Sequence, residues 1–581
     1  MASPEQRKLY QVSKEFRGIN TKANRTSIGK DEFAWLENAM PIGFANIKII
    51  PNSSNVAIGN AALSWANTVT FMSTTNIGLN DYVVAFEEDG RAEYYNITTG
   101  SKGNVAVTGT FSNTGIQTSQ WENERMLIID PNKGYFTWDG TNVVSVGSIA
   151  TVNITSGGGG YVTAPNVTIS ASEETGGVNA TATATIVANV VTSITLTEPG
   201  TGYLNAANVT VTIDASPTGN NASANVTLFS QTGTAIQSFS GRVWIAEGRT
   251  IYYSAAGSYN DFTSVSAGNI ILTDATLHGS IQQLLSANNF LYIFGDTSIN
   301  VFSDVRVGTL GNTLFTNTNV SASVGSQLPY AIFPYFRSVL FMNNYGVYAL
   351  VGATTTKLSD PLDGIIPDID FSKPVFAGQV LINNILCAAF NFYYTGTGYG
   401  STPYNKYITA VFFEKKWFFA EQGGDLKFIV SVPNEGLITM FGSNGTNLKE
   451  FFSDSLSNID SVVQTALLAF DDPIRDKQAL KIGVEVTSDF GTDLDVTVDA
   501  ENRQSPVIDL TTFVNWQNIN LQNIPWTNNL GNQIGWINAG YFLYKNDAQQ
   551  YGKYLGMTIT AVSPNFTYNG MNFEYELRAR Y

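Results

Sequence analysis

The sequence of 581 residues predicts an all-β fold, and three features carry that prediction. Charged residues make up only 13% of the chain, whereas Gly, Thr, Asn and aromatic residues are frequent. The stretch from Gly241 to Phe302 contains two hairpins, in which β-rich strands flank turns built from Gly or Asp. After about residue 456, apolar and polar residues alternate with a period of two, as half-buried strands require.

The hairpins repeat along the chain with a regular spacing. The first two begin 48 residues apart, at Val243 and Leu291, and another begins 48 residues later at Val339. One hairpin plus one or two further strands in that length is typical of a β-propeller blade. The sequence therefore predicts a propeller of about six to eight blades, formed by residues 51–149 and 233–455. Seven such hairpins begin at Tyr82, Met126, Val243, Leu291, Val339, Ile385 and Leu437.

The interval between the second and third hairpins is too long for one blade and contains a duplication. Gly160-Tyr161 matches Gly202-Tyr203 at an offset of 42 residues, and Asn166-Val167-Thr168 matches Asn208-Val209-Thr210 at the same offset. A constant offset across the whole unit indicates a tandem repeat. We expect residues 150–232 to form an inserted tandem β-repeat domain in a loop between blades, where extra length is tolerated.

Both ends of the chain fall outside the blade repeat. Residues 1–50 predict an N-terminal arm with a short helix at Glu32–Ala39, capped by Asp31 and stopped by Pro41. Residues 456–581 predict a C-terminal β-sandwich-like domain. Its segment Lys481–Arg503 is expected to form a strand pair, followed by strands in FVNWQNINL, GYFLYKND, YLGMTITAV and MNFEYELRARY.

The charge is distributed unevenly along the chain. A net charge of −16 disfavours broad affinity for nucleic acid, because an acidic surface repels phosphate. The first 30 residues nevertheless hold seven basic residues and two acidic ones. This composition favours docking to an acidic neighbour or to phosphate, and it is equally typical of a solvated terminus. The seven candidate docking residues are Arg7, Lys8, Lys14, Arg17, Lys22, Arg25 and Lys30.

The redox chemistry and the targeting signals of the sequence are simple. The single cysteine, Cys387, excludes an intrachain disulfide, and its apolar strand predicts a buried small hydrophobic residue. The start of the sequence lacks the apolar core of a signal peptide, and no apolar run approaches 18 residues. We therefore expect synthesis in a cytoplasm and no membrane-spanning segment.

The residue types that catalysis needs are scarce or poorly arranged. His278 is the only histidine, which excludes a multi-histidine metal site, and a lone loop histidine is more often structural than catalytic. Gly157–Gly160 lies between strand-like segments without basic residues, which favours a hairpin turn over a phosphate-binding loop. The sequence therefore predicts no catalytic residue, no cofactor and no metal ligand.

Carboxylates and aromatic residues leave two alternative functions open. A propeller glycoside hydrolase or lyase needs two carboxylates about 5–10 Å apart in a cleft. A carbohydrate-binding module for host surface polysaccharide would use some of the nine Trp and 27 Tyr residues, most of which are expected to pack between blades. Three of the carboxylates, Asp493, Asp495 and Asp499, are expected on one solvated strand face. The remaining candidates are Asp360, Asp363, Asp471, Asp472 and Asp476.

Several segments together resemble the tail nozzle proteins, also called tail hub or DNA-stabilisation proteins, of short-tailed, podovirus-like bacteriophages. The family's G-x-N and E-x-x-x-x-E-N patterns match Gly18-Ile19-Asn20 and Glu32 to Asn38, and its R-V/L-W-x-A…I-Y-Y-S hairpin matches Arg242 to Ser254. The resemblance covers roughly residues 15–150 and 235–460. The tandem repeat resembles GGxGYTSAPTVTI repeats of phage tail and fibre proteins. The other matching segments are SVGSQLPYAIFPYFRSVLFMNNYGVYAL, LSDPLDGI and NFEYELRARY.

The resemblance implies a structural virion protein rather than an enzyme. Six copies would form a homo-hexameric ring below the portal, which retains the genome and conducts DNA during ejection. The implied partners are head–tail adaptor and portal proteins, tail fibre, spike or needle proteins, and transiting double-stranded DNA held without sequence specificity. The protein would lie in the tail of the virion after synthesis in the host cytoplasm. The seven basic residues would then form an arm that docks onto the acidic adaptor ring.

Overall fold

A computed structural model describes residues 9–43, 45–174, 177–229, 231–273, 277–434, 437–488, 492–510, 526–527, 533–534 and 540–578. These residues are predominantly β-strands. Within them, the helices are four 3-10 turns of three residues each, at Ala206–Asn208, Pro329–Ala331, Asp360–Leu362 and Ile366–Asp368.

Seven antiparallel four-stranded blades form a β-propeller. The first strand of each blade contacts the first strand of the next, from Val69–Ile77 in blade 1 round to Phe428–Asn434 in blade 7 and back. In a ring closed in this way every blade packs between two neighbouring blades. Blade 1 consists of Val69–Ile77, Asn80–Glu87, Ala92–Asn96 and Ser101–Ala106; blade 2 of Gln117–Trp121, Arg125–Asp130, Gly134–Trp138 and Val143–Ser145; blade 3 of Ala235–Phe239, Arg242–Glu247, Thr250–Tyr253 and Gly268–Ile271; blade 4 of Ile281–Ala287, Phe290–Gly295, Ile299–Val307 and Thr313–Ser321; blade 5 of Ile332–Tyr335, Ser338–Asn343, Gly346–Val351 and Thr354–Lys357; blade 6 of Phe376–Ile382, Ile385–Tyr394, Lys406–Phe413 and Lys416–Ala420; and blade 7 of Phe428–Asn434, Leu437–Ser443, Leu448–Asp454 and Asn52–Asn55.

The second and third strands of each blade contain the hairpins that the sequence predicted. The propeller prediction is therefore confirmed, and the number of blades is seven. In blade 3 the residues Val243, Trp244, Ile245 and Ala246 are all fully buried. The second strand of a blade is covered on both faces by neighbouring blades, so its sequence is a continuous apolar run rather than an alternating one.

Aromatic rings meet at each of the seven interfaces between neighbouring blades. Ring centroids lie 5.1 to 6.5 Å apart, a range in which edge and tilted contacts are favourable. Of the nine Trp and 27 Tyr residues, six take part in these pairs, and the expectation that most of them pack between blades stays a prediction. In order round the ring the pairs are Tyr82–Trp138, Trp121–Tyr259, Trp244–Phe302, Phe294–Phe341, Phe333–Phe390, Phe376–Phe428 and Tyr95–Phe441.

The outermost strand of blade 7 comes from the other end of the chain. Asn52–Asn55 pairs with Leu448–Asp454 and places Ser54 opposite Glu450. The hydroxyl oxygens of Ser54 and Ser453, 399 positions apart in the sequence, lie 2.7 Å from each other. The ring is thus closed by hydrogen bonds between its first and last segments.

The inserted repeat has sheets and a hydrophobic core of its own. Ser148–Ser156 pairs with Ser223–Phe229, so the segment leaves blade 2 and returns to blade 3 on adjacent strands. Its core includes Ile149, Tyr161, Val191 and Tyr203. The remaining strands form one sheet in the order Val190–Glu198, Thr181–Val187, Asn166–Ile169 and Val211–Ile213.

The two repeats bind each other through equivalent tyrosines. The Tyr161 hydroxyl donates to Asp214 O (3.2 Å) and accepts from Ala222 N (2.9 Å) in the second repeat. The Tyr203 hydroxyl donates to Ser170 O (3.0 Å) and accepts from Ala180 N (2.8 Å) in the first. Both rings are buried. The glycines before them, Gly160 and Gly202, have φ of +83° and +79°, which explains the Gly-Tyr pair in both copies.

The N-terminal segment differs from the prediction of an arm with a helix. Glu32–Glu37 is a β-strand, because its alternating Phe33, Trp35 and Glu37 are buried between neighbouring strands. It pairs with Asp460–Thr465 on one side and meets Lys416–Ala420 of blade 6 on the other. Tertiary pairing has overridden the local helix signal of Asp31 and Pro41. Pro41 lies inside the next strand, Ala39–Ile42.

Two sheets form the C-terminal part of the molecule, and both include N-terminal strands. The first continues blade 6 through Glu32–Glu37, Asp460–Thr465, Leu555–Val562, Leu494–Ala500 and Arg503–Gln504, with Gly18–Ile19 and Ile508–Asp509 at its sides. The second has the order Ala39–Ile42, Asn46–Ile49, Phe566–Leu577, Lys477–Ser488 and Gly540–Asp547, with Leu9–Ser13 and Tyr551–Gly552 attached. Two short hairpins, Ala57–Ile58 with Ala61–Ala62 and Trp526–Thr527 with Gln533–Ile534, complete the strands.

The predicted strand pair at Lys481–Arg503 has the correct period but the wrong pairing. Its two halves belong to Lys477–Ser488 and Leu494–Ala500, which lie in different sheets. Alternating side chains such as Val484 and Val496 are fully buried in the hydrophobic core that the sheets share. A period of two therefore revealed which faces are buried, not which strands pair. The segment FVNWQNINL lies outside the described residues.

Asn38 joins the propeller to the C-terminal sheets, so we predict that Asn38→Ala destabilises the protein. Its side-chain amide donates to Glu421 O (2.8 Å) and Asp460 O (2.7 Å), and its oxygen accepts from Glu421 N (2.8 Å). Its φ of +53° is tolerated by Asn better than by Ala. We expect a loss of about 3 kcal/mol or more in denaturant unfolding. Asn46→Ala, at an exposed strand end, is the control, and equal stability of the two variants would contradict this role.

The reciprocal bonding of the repeats predicts equal effects for Tyr161→Phe and Tyr203→Phe. Each change leaves a buried backbone N–H without its acceptor, which costs about 1–3 kcal/mol. Thermal unfolding of the full chain measures the effect, with Tyr345→Phe, an exposed tyrosine, as the control. A loss at only one of the two positions would show that the copies are not structurally equivalent.

Candidate functional site

The basic residues of the predicted docking arm are mostly bonded within the chain. Lys14 Nζ lies 3.0 Å from Glu485, Arg17 pairs with Asp31, and Lys22 Nζ is 3.9 Å from Asp363. Their side chains are nevertheless 54%, 71% and 57% exposed, so each side chain remains largely open to solvent. Lys30 is exposed. Arg7 and Lys8 lie outside the described residues.

Arg25 is the exception, because its guanidinium points into the C-terminal core. It lies 2.6 Å from Asp499, and Nε donates to Thr465 O (2.6 Å). Burial lowers the pKa of Arg25, and the neighbouring Asp499 carboxylate opposes that shift. Asp499 was expected on a solvated face; it is 1% exposed and also accepts from the Thr558 hydroxyl (2.6 Å). Arg25 and Asp499 therefore form a buried structural pair.

The residues that carry the family resemblance are buried at positions where structural elements meet. Arg242, at the start of the R-V-W-I-A strand, is 1% exposed, and its Nη1 donates to Ser254 O and Ser266 O, both at 2.7 Å. The Ser254 hydroxyl accepts from Val243 N (2.8 Å) and donates to Ser258 O (2.6 Å). These contacts hold the loop that follows the hairpin against Arg242 and Val243, the first residues of the second strand of blade 3.

Glu37, from the E-x-x-x-x-E-N pattern, is buried at the junction of blade 6 and the C-terminal sheets. Its carboxylate accepts from Trp35 Nε1 (2.8 Å) and from the Tyr404 hydroxyl (2.5 Å). Burial raises the pKa of Glu37, and these two hydrogen bonds act in the opposite direction. The adjacent Asn38 makes the backbone bonds described above, so this pattern has an architectural role.

Three of the eight carboxylates considered for acid–base chemistry, Asp363, Asp472 and Asp499, form ion pairs with basic residues. Asp363 lies 2.6 Å from Lys357, and Asp472 lies 2.7 Å from Arg475. The backbone N–H groups of Ile474 and Arg475 also bind Asp472, and together with Arg475 they lower its pKa to about 2. A carboxylate with so low a pKa is a poor general acid at neutral pH.

The other candidates for chemistry occupy structural positions. His278 lies exposed in a loop, 3.3 Å from the Thr297 hydroxyl. Cys387 is fully buried, as predicted, and burial raises the pKa of its thiol to about 12. Gly158 packs against the backbone of Asn220 and Ala222. The hairpin turn predicted at Gly157–Gly160 is wrong, because the flanking strands Ser148–Ser156 and Asn166–Ile169 lie in different sheets.

Two general features follow from the residues that the structure describes. Among them, no three His, Cys, Asp or Glu side chains approach one another closely enough to hold a metal ion. In the same part of the chain no helix is long and apolar enough to span a membrane.

A cavity of about 340 Å³ lies on the propeller axis. Its lining comes mainly from the first strands of six blades, all except blade 3, and also includes Pro329 and Tyr330 of the 3-10 turn before blade 5 and Ile438 of blade 7. Phe71, Tyr330 and Phe376 form a stack of rings at its side, with centroids 4.9 Å and 5.2 Å apart. The cavity is far too small for double-stranded DNA, whose major groove alone is about 12 Å wide. The axis of a single propeller is therefore not a DNA channel.

The axis residues were missed from the sequence because the repeat was recognised from the second and third strands of each blade. The first strands contribute Gln117, Thr118, Gln283 and Gln379 to the cavity. They lack the apolar run that marks the inner hairpin. The first strands begin between 6 and 11 residues before the second strands and share no residue pattern, so local sequence provided no signal for them.

Blade 1 contains a buried pair of carboxyl groups. Glu87 is fully buried, and Glu93, 5% exposed, binds Lys102 at 2.6 Å. Arg91 Nε is 3.9 Å from Glu87. Burial, followed by the proximity of Glu93, raises the pKa of Glu87 to about 7.

Comparisons with known proteins add no family assignment. No family model matches the chain, and no curated protein matches it. The chain is similar to the solved structure of BamB from Moraxella catarrhalis, with 10% identity over 76% of this chain and 100% of that chain and a TM-score of 0.32. It is similar to YCF48 bound to D1 peptide, with 9% identity over 69% of this chain and 98% of that chain and a TM-score of 0.32. It is also similar to the Cps50 (Swd1) β-propeller domain from Myceliophteria thermophila, with 10% identity over 67% of this chain and 98% of that chain and a TM-score of 0.26. At these TM-scores the similarity carries no functional argument. The propeller assignment stands on the strand topology.

We predict that Glu87 makes the stability of the protein fall as pH rises. Below a pH of about 4.3, the unfolded-state pKa, the carboxyl is protonated in both the folded and the unfolded protein. Between about pH 4.3 and pH 7 it ionises readily only in the unfolded protein, so a rise in pH favours unfolding. Between pH 5 and pH 8 the wild type should therefore lose about 2 kcal/mol more than Glu87→Gln.

Denaturant unfolding at several pH values measures this difference. Glu88→Gln, which changes the adjacent exposed carboxyl, is the control and should follow the wild type. Parallel stability curves for the wild type and Glu87→Gln would contradict the assignment.

Proposed function

We propose that the chain is a structural virion protein, the tail nozzle of a short-tailed phage, which acts as a homo-hexameric ring. The supporting observation is the position of the residues that carry the resemblance. Glu37, Asn38 and Arg242 are all buried in joints between structural elements rather than in a cleft. Buried residues of this kind hold the elements of a structural subunit together, and this role does not depend on which partner the subunit binds.

DNA would pass through the lumen of the ring and not through any one propeller. The axis cavity excludes a duplex, so retention and conduction of the genome need a larger opening between several copies. A net charge of −16 suits the wall of such an opening, because it repels the phosphate backbone and disfavours adhesion.

The basic N-terminal residues would dock this ring onto the acidic head–tail adaptor, below the portal. Lys14, Arg17, Lys22 and Lys30 supply exposed positive charge for that contact. Arg25 is removed from the docking set, because it is committed to Asp499. Tail fibre, spike or needle proteins would attach to other surfaces of the ring.

Sizing chromatography and negative-stain microscopy of the full chain, alone and with the portal and adaptor proteins of the same virus, test the proposal. We expect six-fold rings, at least when the adaptor is present, and no release of reducing sugar from host polysaccharide. A monomer under both conditions, or polysaccharide cleavage, would overturn it and favour a propeller glycoside hydrolase or lyase.

The docking contact has its own test in a charge-reversal variant. Arg17→Glu, Lys22→Glu and Lys30→Glu together should weaken adaptor binding at low salt by at least ~10-fold. The control changes three exposed bases on the rest of the body, Lys133→Glu, Arg337→Glu and Lys553→Glu, and alters the net charge equally. Equal binding by the two variants would remove the docking role.

A further inference from the structure

Blade 1 places a lysine and two glutamates together on one face of three consecutive strands. Glu87 lies on the second strand of the blade, Glu93 on the third and Lys102 on the fourth. Ala85 pairs with Glu93, and Tyr95 pairs with Lys102. Since side chains two positions apart in a strand share a face, Glu87 and Lys102 are both diagonal neighbours of Glu93 on that face.

Lys102 and Glu93 are in direct contact and largely shielded from solvent. Lys102 Nζ lies 2.6 Å from Glu93 Oε2, and the two side chains are 24% and 7% exposed. Nζ also donates to Ser64 O (2.9 Å), and the centroid of the Trp65 ring lies 5.7 Å from it. The Glu93 carboxylate further accepts from Ala66 N (2.9 Å). The segment 64–66 therefore holds the lysine nitrogen and the carboxyl group against each other.

Glu87 supplies a buried acid beside this pair. It is fully buried, and neither of its carboxyl oxygens has a hydrogen-bond partner among the described residues. Arg91 Nε, 3.9 Å away, is beyond hydrogen-bonding distance. An ionised carboxylate in such surroundings is costly, and burial, followed by the neighbouring Glu93, raises the pKa of Glu87 to about 7. Glu87 therefore retains a proton that it can give to a neighbouring oxygen.

We propose that Lys102 and Glu93 form an intramolecular isopeptide bond, with Glu87 as the proton donor. The Lys102 ammonium first transfers a proton to the Glu93 carboxylate, which leaves a neutral amine beside a neutral acid. The amine nitrogen attacks Glu93 Cδ while Glu87 donates its proton to the carbonyl oxygen and then takes one back from the nitrogen. One C–O bond breaks, and its oxygen leaves as water with two of the three ammonium protons. The third proton stays on the amide nitrogen, and Glu87 ends as it began.

The folded chain favours a condensation that is unfavourable between the free groups in water. Two groups held in reacting contact can have an effective molarity of roughly 10⁵–10⁸ M. Burial also disfavours the ion pair relative to the neutral amine and acid that react. The partial exposure of Lys102 leaves a path for the released water. The bond joins the last two strands of blade 1 beside its interface with blade 7, where Tyr95 packs against Phe441.

Intact-protein mass spectrometry of the denatured full chain tests the proposal. We expect a mass lower than that of the sequence by one water. Trypsin should not cleave after Lys102, because an acylated lysine carries no charge. It should release residues 92–125 as one peptide, lighter by one water and without backbone fragments between positions 93 and 102.

A second lysine–carboxylate pair serves as an internal control in the same digest. Lys357 and Asp363 are also 2.6 Å apart, but their side chains are 26% and 30% exposed. Lys22 Nζ, 3.9 Å from Asp363, is a further cation that favours the ionised carboxylate. This pair should therefore stay unlinked, with normal cleavage after Lys357.

Two substitutions distinguish the bond from an ordinary ion pair. Lys102→Arg keeps the positive charge but offers no neutral amine, so this variant should have its full sequence mass. Glu87→Gln removes the proton donor and should accumulate chain of full mass, whereas Glu88→Gln, the exposed neighbour, should lose one water like the wild type. Full mass in the wild type, cleavage after Lys102, or a lost water located at another site would overturn the proposal. Complete bond formation in Glu87→Gln would remove the role of Glu87.

Discussion

Closure of the ring of blades is the constraint on which the rest of the structure depends. Asn52–Asn55 must pair with Leu448–Asp454 for blade 7 to have four strands, and these segments come from opposite ends of the propeller sequence. Without this pairing the third strand of blade 7 would be an unpaired edge, which invites pairing with other chains. The N-terminal strands before residue 52 are anchored in the C-terminal sheets, so the closing strand is held on both sides. Aromatic pairs at all seven blade interfaces then pack the blades of the closed ring against one another.

The same N-terminal segment also makes the propeller and the C-terminal sheets continuous. Glu32–Glu37 lies between blade 6 and Asp460–Thr465 in one 11-stranded sheet. Asn38, immediately after it, binds backbone atoms of Glu421 and Asp460, one on each side of the junction. Backbone hydrogen bonds across a buried sheet resist shear, because each must break before the two parts can rotate. These hydrogen bonds therefore oppose rotation between the propeller and the C-terminal sheets at this junction, and the tandem repeat is attached by adjacent entry and exit strands.

The sequence predicted what depends on local pattern and missed what depends on long-range pairing. The hairpins beginning at Tyr82 to Leu437 were recognised because a strand buried on both faces requires a continuous apolar run. The tandem repeat was recognised because Tyr161 and Tyr203 each need a preceding glycine with positive φ. The closing strand Asn52–Asn55 has four polar residues and no pattern of its own, so only the partner 399 positions away reveals it. The helix predicted at Glu32–Ala39 failed for the same reason, since neighbouring strands from residues 416–465 decide its conformation. The axis cavity, which Gln117 and Gln283 help to line, exists only when six blades are brought together.

A closed axis and a rigid junction together restrict how a ring of this protein would work. Each propeller has on its axis a cavity of only about 340 Å³, bordered by the Phe71, Tyr330 and Phe376 stack, so opening it for DNA would expose aromatic side chains and break blade contacts. The junction at Asn38 opposes a hinge between the propeller and the C-terminal sheets. In the proposed ring, a gate for DNA would therefore lie between copies and not within a copy. Such interfaces can shift by small rotations, because their packing has alternative arrangements of similar energy. The acidic composition of the body would have the same consequence in the proposed ring, since a small widening of the opening would release a repelled polymer without rupture of specific contacts.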